Sequence, residues 1–457
     1  MNLLLLLIGS HAWKPAPALT RFARVFAAFS LLSIEMQLVT WLGIGSLHTL
    51  PLVNLVLAIA ALAVWRPAPD RQPPAAKDRV WIAAVLLVGA VVVALNLGRQ
   101  LEAADPYHLE KVERIERLGT LAYDPDTASK INVLSSVYEM LLADVRQIPA
   151  IGPLAIRLHG IWSLLLWLLA IGVARDLLRN VKAGDADPVA PAARWPWVAL
   201  LVVPTVFHQL VLVKNDLFVA IPAFVALVWG VTRAGKARPR EIGLVLWLAG
   251  LAVAIKLTTL PLLVVVGTAI LIQRFTEWKA IAAAALGTFA GLLAGGLLFT
   301  LAMNVQVYGQ LMPVEDIGSI NPGVAAVMTG VLRFAISLVD LGRLTPVWWP
   351  GRGGWSGTFG LPFIWACGVL LWTSRRIPLA RLTLLCVAVY FLAFAVVFPD
   401  ADISHRLVLA PALLAIGVAV RVVDRGEGIR AWRIALVPVI ALSTAQLARS
   451  TFLYFMR

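Results

Sequence analysis

Residues 197–232 read WVALLVVPTVFHQLVLVKNDLFVAIPAFVALVWGVT. Two apolar runs, 197–213 and 216–232, meet at Lys214-Asn215-Asp216, and each is long enough to cross a hydrocarbon core about 30 Å thick. So short a polar interruption predicts a tight turn at a membrane face, with Asp216 on that face. Working outward, the same punctuation by Arg, Lys, Pro or polar clusters recurs along the chain. It predicts thirteen spans, at about 25–45, 50–65, 80–98, 158–174, 197–213, 216–232, 241–255, 259–273, 280–302, 358–373, 382–398, 406–420 and 434–448. The opening run Leu3 to Ile8 is too short to span and reads as an interfacial or re-entrant start.

The composition agrees. Of 457 residues 60% are hydrophobic and 14% charged, against about 25% charged in soluble domains, which excludes a water-soluble fold. The expected fold class is an all-α polytopic integral membrane protein. Cys367 and Cys386 both lie in apolar runs, so neither a disulfide framework nor a cysteine metal site is predicted. A net charge of +14 would suggest nucleic acid in a soluble chain. Here most basic residues fall in short segments on one side if residue 1 is cytoplasmic, as the positive-inside rule requires. The charge is therefore a topology signal, and no nucleic-acid partner is expected.

This orientation divides the chain into spans 1–3 (1–98), a first long outer loop (99–157), spans 4–9 (158–302), a second outer loop (303–357) and spans 10–13 (358–457). In the first loop Asp105-Pro106 is a helix start, carboxylate cap followed by proline at the first helical position. Leu109, Val112, Ile115 and Leu118 recur on one side, and Glu110–Arg114 and Glu113–Arg117 are spaced for ion pairs on the other. That predicts an amphipathic surface helix ended by Gly119. After the Tyr123-Asp124-Pro125 turn, Asp126 is placed to cap a second surface helix carrying Ile131, Leu134, Tyr138, Leu141, Leu142 and Val145. Together they form a platform. His108, one turn after Asp105, is spaced to share a proton or a metal with it, though an interfacial histidine needs no such role.

Three further outer turns carry charge: Lys214-Asn215-Asp216, Lys256-Leu257-Thr258-Thr259, and the segment with Asp400, Asp402, His405 and Arg406. Lys256 can snorkel or meet an anionic headgroup. Glu35 alone sits within a span, a costly place for a carboxylate. The second loop holds a predicted surface helix over Val324 to Asp340 and ends Trp348-Trp349-Pro350-Gly351-Arg352-Gly353-Gly354-Trp355. Trp348, Trp349 and Trp355 suit interfacial anchoring, and the same rings can stack on a sugar.

Asp105-Pro106-Tyr107-His108-Leu109, continuing through Arg117-Leu118-Gly119-Thr120-Leu121-Ala122-Tyr123, resembles the first outer loop of the GT-C membrane glycosyltransferases. The bacterial relatives of dolichyl-phosphate-mannose protein mannosyltransferases are the group it looks most like. Asn215-Asp216-Leu217, Ala254-Ile255-Lys256-Leu257-Thr258 and Arg406 ahead of Pro411 are similar to other recurrent features of that group. The resemblance implies a GT-C-like enzyme of the bacterial inner membrane that moves a sugar, with inversion, from a polyprenyl phosphate to a lipid, glycan or protein acceptor on the extracytoplasmic face. It implies Asp105 as the base, with Glu102 as the alternative carboxylate, and Lys256, Arg406 and His405 at the donor phosphate. Asp216 would position the acceptor or share a metal with Asp105, and Tyr107 and His108 would support the site. No cofactor is required by this chemistry; a divalent metal is compatible with it. A lipid-linked-glycan flippase, or a ligase using a lipid-pyrophosphate donor, is the alternative. A flippase predicts Gly- or Pro-broken spans in matching halves.

Overall fold

Apolar length and polar punctuation become helix throughout the computed structural model, which describes residues 1–12, 16–64, 78–98, 106–124, 134–179, 194–235, 237–274, 276–311, 328, 359–397, 408–424 and 430–455. In chain order the helices are α1 (Asn2–Gly9), α2 (Ala18–Leu42), α3 (Leu50–Val64), α4 (Arg79–Gly98), α5 (Pro106–Leu118), α6 (Val137–Arg146), α7 (Gly152–Arg157) and α8 (His159–Arg179). After a 3₁₀ turn at Trp195–Leu200 come α9 (Pro204–Val211), α10 (Asp216–Arg233) and α11 (Pro239–Ile255). A second 3₁₀ turn, Leu257–Thr259, leads into α12 (Leu260–Arg274), then α13 (Trp278–Ala294) and α14 (Leu297–Tyr308). The last four are α15 (Gly360–Thr373), α16 (Pro378–Val397), α17 (Leu409–Asp424) and α18 (Arg430–Phe455). No strand occurs among the described residues.

Six helical stretches are long and apolar enough to cross a membrane: α2, α4, α8, α10, Leu257–Arg274 and Arg430–Ala448. The pair α13 and α14, bent by 55°, makes a seventh if it is one span. The centre is marked by helices apolar on every side: α10 is buried from Asp216 to Gly230, and α17 is buried along nearly its whole length. Outer helices instead expose large apolar side chains, among them Leu52 (72%), Leu86 (67%) and Ile272 (74%). A belt of that kind is stable facing lipid and not water, so this is an all-α membrane protein.

The helices run between two ends. At one, Asn96 joins the start of α8 and the end of α9 through Gly160 N–H and Leu210 C=O. Lys256 meets Asp216 there, where α11 ends and α10 begins. At the other, Asp78 accepts from the amides of Arg194 and Trp195, Arg421 donates to the carbonyls of Leu178 and Arg179, and Arg274 to that of Ala237. The loop segments 106–124 and 134–146 share the first end with Asp216 and Lys256, because Tyr138 packs against Phe218 on the first turn of α10 and His108 against Tyr138.

Three expectations are corrected. The 197–213 stretch is not one helix: Pro204 has no N–H to donate and holds Val203 extended (φ −66°, ψ 119°), so a 3₁₀ turn and α9 stand in its place. The 280–302 stretch breaks at Gly295–Gly296, where Gly296 adopts φ +77°. Residue 1, expected at the end opposite the first long loop, lies at the same end, because the Asp144 carboxylate accepts the first amides of α1 from Asn2 and Leu3 at 2.9 and 2.8 Å. The Met1 ammonium meets the same carboxylate at 3.0 Å, and α1 then runs inward beside α3, with Gly9 against Ala58.

Parallel helices α11 and α13 pack with almost nothing between them. A Cβ on Gly287 would lie 2.1 Å from the carbonyl oxygen of Gly243, one on Gly291 2.2 Å from that of Trp247, and one on Gly295 2.9 Å from that of Leu251. Glycine every fourth residue on α13 is what allows this approach, as in small-residue membrane interfaces. The seam fixes where α11 delivers Lys256 and where α13 meets the loop.

Candidate functional site

Pro106 opens α5 at its first position, as the sequence predicts, and Leu109, Val112 and Ile115 are buried. The polar side of the helix differs from expectation. Arg114 (2% exposed) turns inward, where Nη2 donates to Ser136 Oγ at 3.1 Å, so it is not on the surface with Glu110 and Glu113. Arg117 pairs with Asp124. Lys111, 1% exposed, donates from Nζ to the carbonyls of Leu134 and Ser135, both at 3.2 Å, and lies 4.8 Å from the Tyr107 ring centroid. Lys111 and Arg114 thus clamp the 134–136 segment ahead of α6, and Ser135 Oγ extends the clamp to the Gly295 carbonyl at 2.8 Å.

Helix α6 is not the second surface helix of the prediction. Residues Val137 to Asp144 are all buried, because α1, α2 and α5 cover it. Leu134 precedes the helix and is exposed. Inside α6, fully buried Glu139 receives a 2.6 Å hydrogen bond from His108 Nδ1, a contact the sequence did not indicate. Burial alone would raise the Glu139 carboxyl, but the Lys111 ammonium and the His108 hydrogen bond overturn it and hold the group below the usual range. Burial pushes Lys111 down to about 8, with Arg114 and Lys256 pushing the same way and Glu139 opposing. Burial also raises the Tyr107 phenol, which stays neutral.

Asp216 is the first residue of α10 and 4% exposed. Lys256, in extended backbone between α11 and its 3₁₀ turn, pairs with the Asp216 carboxylate and donates to Asn215 Oδ1 at 3.3 Å. The lysine expected to snorkel is held by the neighbouring turn. An aromatic wall joins this pair to the loop: His108 packs edge-on against Tyr138, and Tyr138 against Phe218 on the first turn of α10. The structure thus brings together Tyr107, His108, Asp216 and Lys256, and adds Lys111, Arg114 and Glu139. A signal for the additions existed: Lys111 and Ile115 follow His108 at helical spacing on one face, and Glu139 is a lone carboxylate among Val137, Tyr138, Met140 and Leu141.

Glu102, Asp105, Trp348, Trp349, Trp355, His405 and Arg406 lie outside the described residues, as do Asp126, Ile131 and the predicted 324–340 helix apart from Met328. Among the described residues no three His, Cys, Asp or Glu side chains converge as metal ligands. The Asp216 carboxylate already meets an ammonium, an arrangement that disfavours a cation beside it.

Glu35 has a partner the sequence did not reveal. Asn54 Nδ2 donates to its Oε2 at 3.1 Å and to Asn2 Oδ1 at 2.9 Å, and Asn2 reaches Asp144, so a polar chain runs from within α2 to the α6 helix.

Comparison with protein-family models, with curated proteins and with solved structures finds no match to this chain.

Proposed function

We propose that this protein is an inverting, GT-C-like glycosyltransferase that passes a sugar from a polyprenyl phosphate to a lipid, glycan or protein acceptor on the extracytoplasmic side of a bacterial inner membrane. The reading takes the thirteen apolar segments as spans, the broken 197–213 and 280–302 stretches included. One observation carries it: Lys111, Arg114 and Lys256 gather at one membrane end against two carboxylates, Glu139 and Asp216. Fixed cations at that end suit an anionic donor headgroup that already lies at the bilayer surface, and such preorganised charge stabilises a leaving phosphate without a nucleotide-binding domain. Lys256 is the most exposed of the three and is the phosphate contact in this reading, with Arg406 and His405 beside it. Asp216 then acts by holding the Lys256 ammonium in place. Asp105 is the carboxylate nominated by resemblance to take the acceptor proton.

The test is release of free polyprenyl phosphate from a panel of polyprenyl-phosphate sugars by the purified protein in liposomes, with an envelope extract as acceptor. Release is expected from wild type, with loss in Asp105→Asn and weakened donor binding in Lys256→Ala. Full activity in Asp105→Asn removes that residue from the reaction.

A second reading has its own observation. The interrupted stretches at Pro204 and at Gly295–Gly296 are the kind of broken helices that line transport paths. A lipid-linked-glycan flippase would move intact donor between leaflets without releasing polyprenyl phosphate.

A further inference from the structure

We infer that His108, oriented by Glu139, takes the acceptor proton in the transfer reaction in place of Asp105; this rests on the glycosyltransferase reading and changes the residue that serves as its base. Because Glu139 is fully buried and held ionised by Lys111, it can only accept, so His108 Nδ1 must be the donor of their 2.6 Å hydrogen bond. The neutral tautomer compatible with that bond carries its lone pair on Nε2. Nε2 makes no hydrogen bond among the described residues, and the His108 side chain keeps 12% of its surface open. Tyr107 and Tyr138 pack edge-on against the imidazole and set its plane. Carboxylate, imidazole and open nitrogen in series are the arrangement that makes histidine a general base. Glu139 Oε2 is buried with no partner, so the carboxylate has no competing side-chain donor besides His108.

In the transfer step the acceptor O–H bond breaks and its proton passes to His108 Nε2. The oxygen forms a bond to the anomeric carbon as the carbon–oxygen bond to phosphate breaks, and that electron pair leaves on the polyprenyl phosphate beside Lys256. The imidazolium is stabilised by Glu139 until the proton returns to water. Glu139 touches no reacting atom and is a positioning residue. The charged and titratable groups around His108 are Tyr107, Lys111 and Arg114 on α5 and Tyr138 and Glu139 on α6, with Lys256 beyond Lys111.

The experiment uses the full-length protein in liposomes, the donor that wild type consumes, and separate measurements of donor binding and transfer rate across pH. His108→Gln is expected to lower the rate about 100-fold or more while donor binding is kept, the usual size of a general-base contribution. It should also abolish the acid limb of the pH–rate profile. Glu139→Gln should move that limb to lower pH with a smaller loss of rate, and free imidazole should restore transfer to His108→Ala. A His108→Gln protein with wild-type rate and limb overturns the inference and leaves the glycosyltransferase reading standing. If His108→Gln loses donor binding as well, the absence of imidazole rescue in His108→Ala overturns it. Wild type that consumes no donor overturns both.

Discussion

At the loop end of the bundle Lys111 and Arg114 are buried, donate into the 134–136 segment, and share Glu139 as a counter-charge. At the opposite end Arg238, Arg240, Arg375, Arg376 and Arg430 lie exposed, and half-buried Arg421 spends its donors on the last carbonyls of α8. The same residue types serve two purposes. Exposed cations cost little and report only the side of the membrane they face, whereas a buried cation persists only with partners that satisfy it. The buried set is therefore where chemistry is sought, although it contributes few of the 39 basic residues behind the net charge.

Breaking the buried set should have the largest effect. Lys111→Met leaves the Leu134 and Ser135 carbonyls without their donor and removes the ammonium that acts on Glu139, and is expected to cost about 3–5 kcal/mol in stability, the scale for two acceptors left unsatisfied by loss of a buried donor. Denaturant unfolding in detergent measures it, and a loss no greater than that of an exposed-arginine variant would erase the distinction between the two ends. Next in size is the Lys256–Asp216 pair. A double-mutant cycle between Asp216→Asn and Lys256→Ala should return a coupling of about 1–3 kcal/mol; additive effects would mean that Asp216 does not hold the lysine.

Alkaline titration sharpens the comparison without a large perturbation. Lys111 is lowered in the folded protein to about 8 from 10.5, so between those values the unfolded chain holds the proton that the folded one has released. Stability from this group therefore rises with pH across that window. Wild type should gain on Lys111→Met between pH 8 and 10.5. A constant difference would contradict burial of a charged lysine. The smallest effect is expected at the other end, where Arg421→Gln should cost no more than about 1 kcal/mol, the net worth of ordinary hydrogen bonds.

Helix placement was legible because it depends on local properties: each apolar segment falls on a helix or a helix pair, and Pro106 marks the start of α5. The break at Val203 was also written locally, in Pro204, but the apolar run masked it. The pairing of His108 with Glu139, and the capping of α1 by Asp144, were not legible, since each joins residues brought together only by packing. Arg114 was misread, and Lys111 went unread, for a related reason. On an isolated amphipathic helix they belong to the wet side, and only α6 packed beneath α5 turns that side into an interior. The site residues at 102, 105, 348, 349, 355, 405 and 406 lie outside the described residues and stand on sequence alone.

The glycine seam between α11 and α13 has a consequence for depth. Its three close approaches lie one helical turn apart and leave no room for either helix to slide along the other. Lys256 follows the last turn of α11, and the Gly295 carbonyl that receives Ser135 follows the last turn of α13. The two are levelled against each other by backbone contact in the middle of the bundle. The height of the lysine along the bundle is thus calibrated by residues far from it, and a side chain added at Gly287 or Gly291 would shift it from a distance.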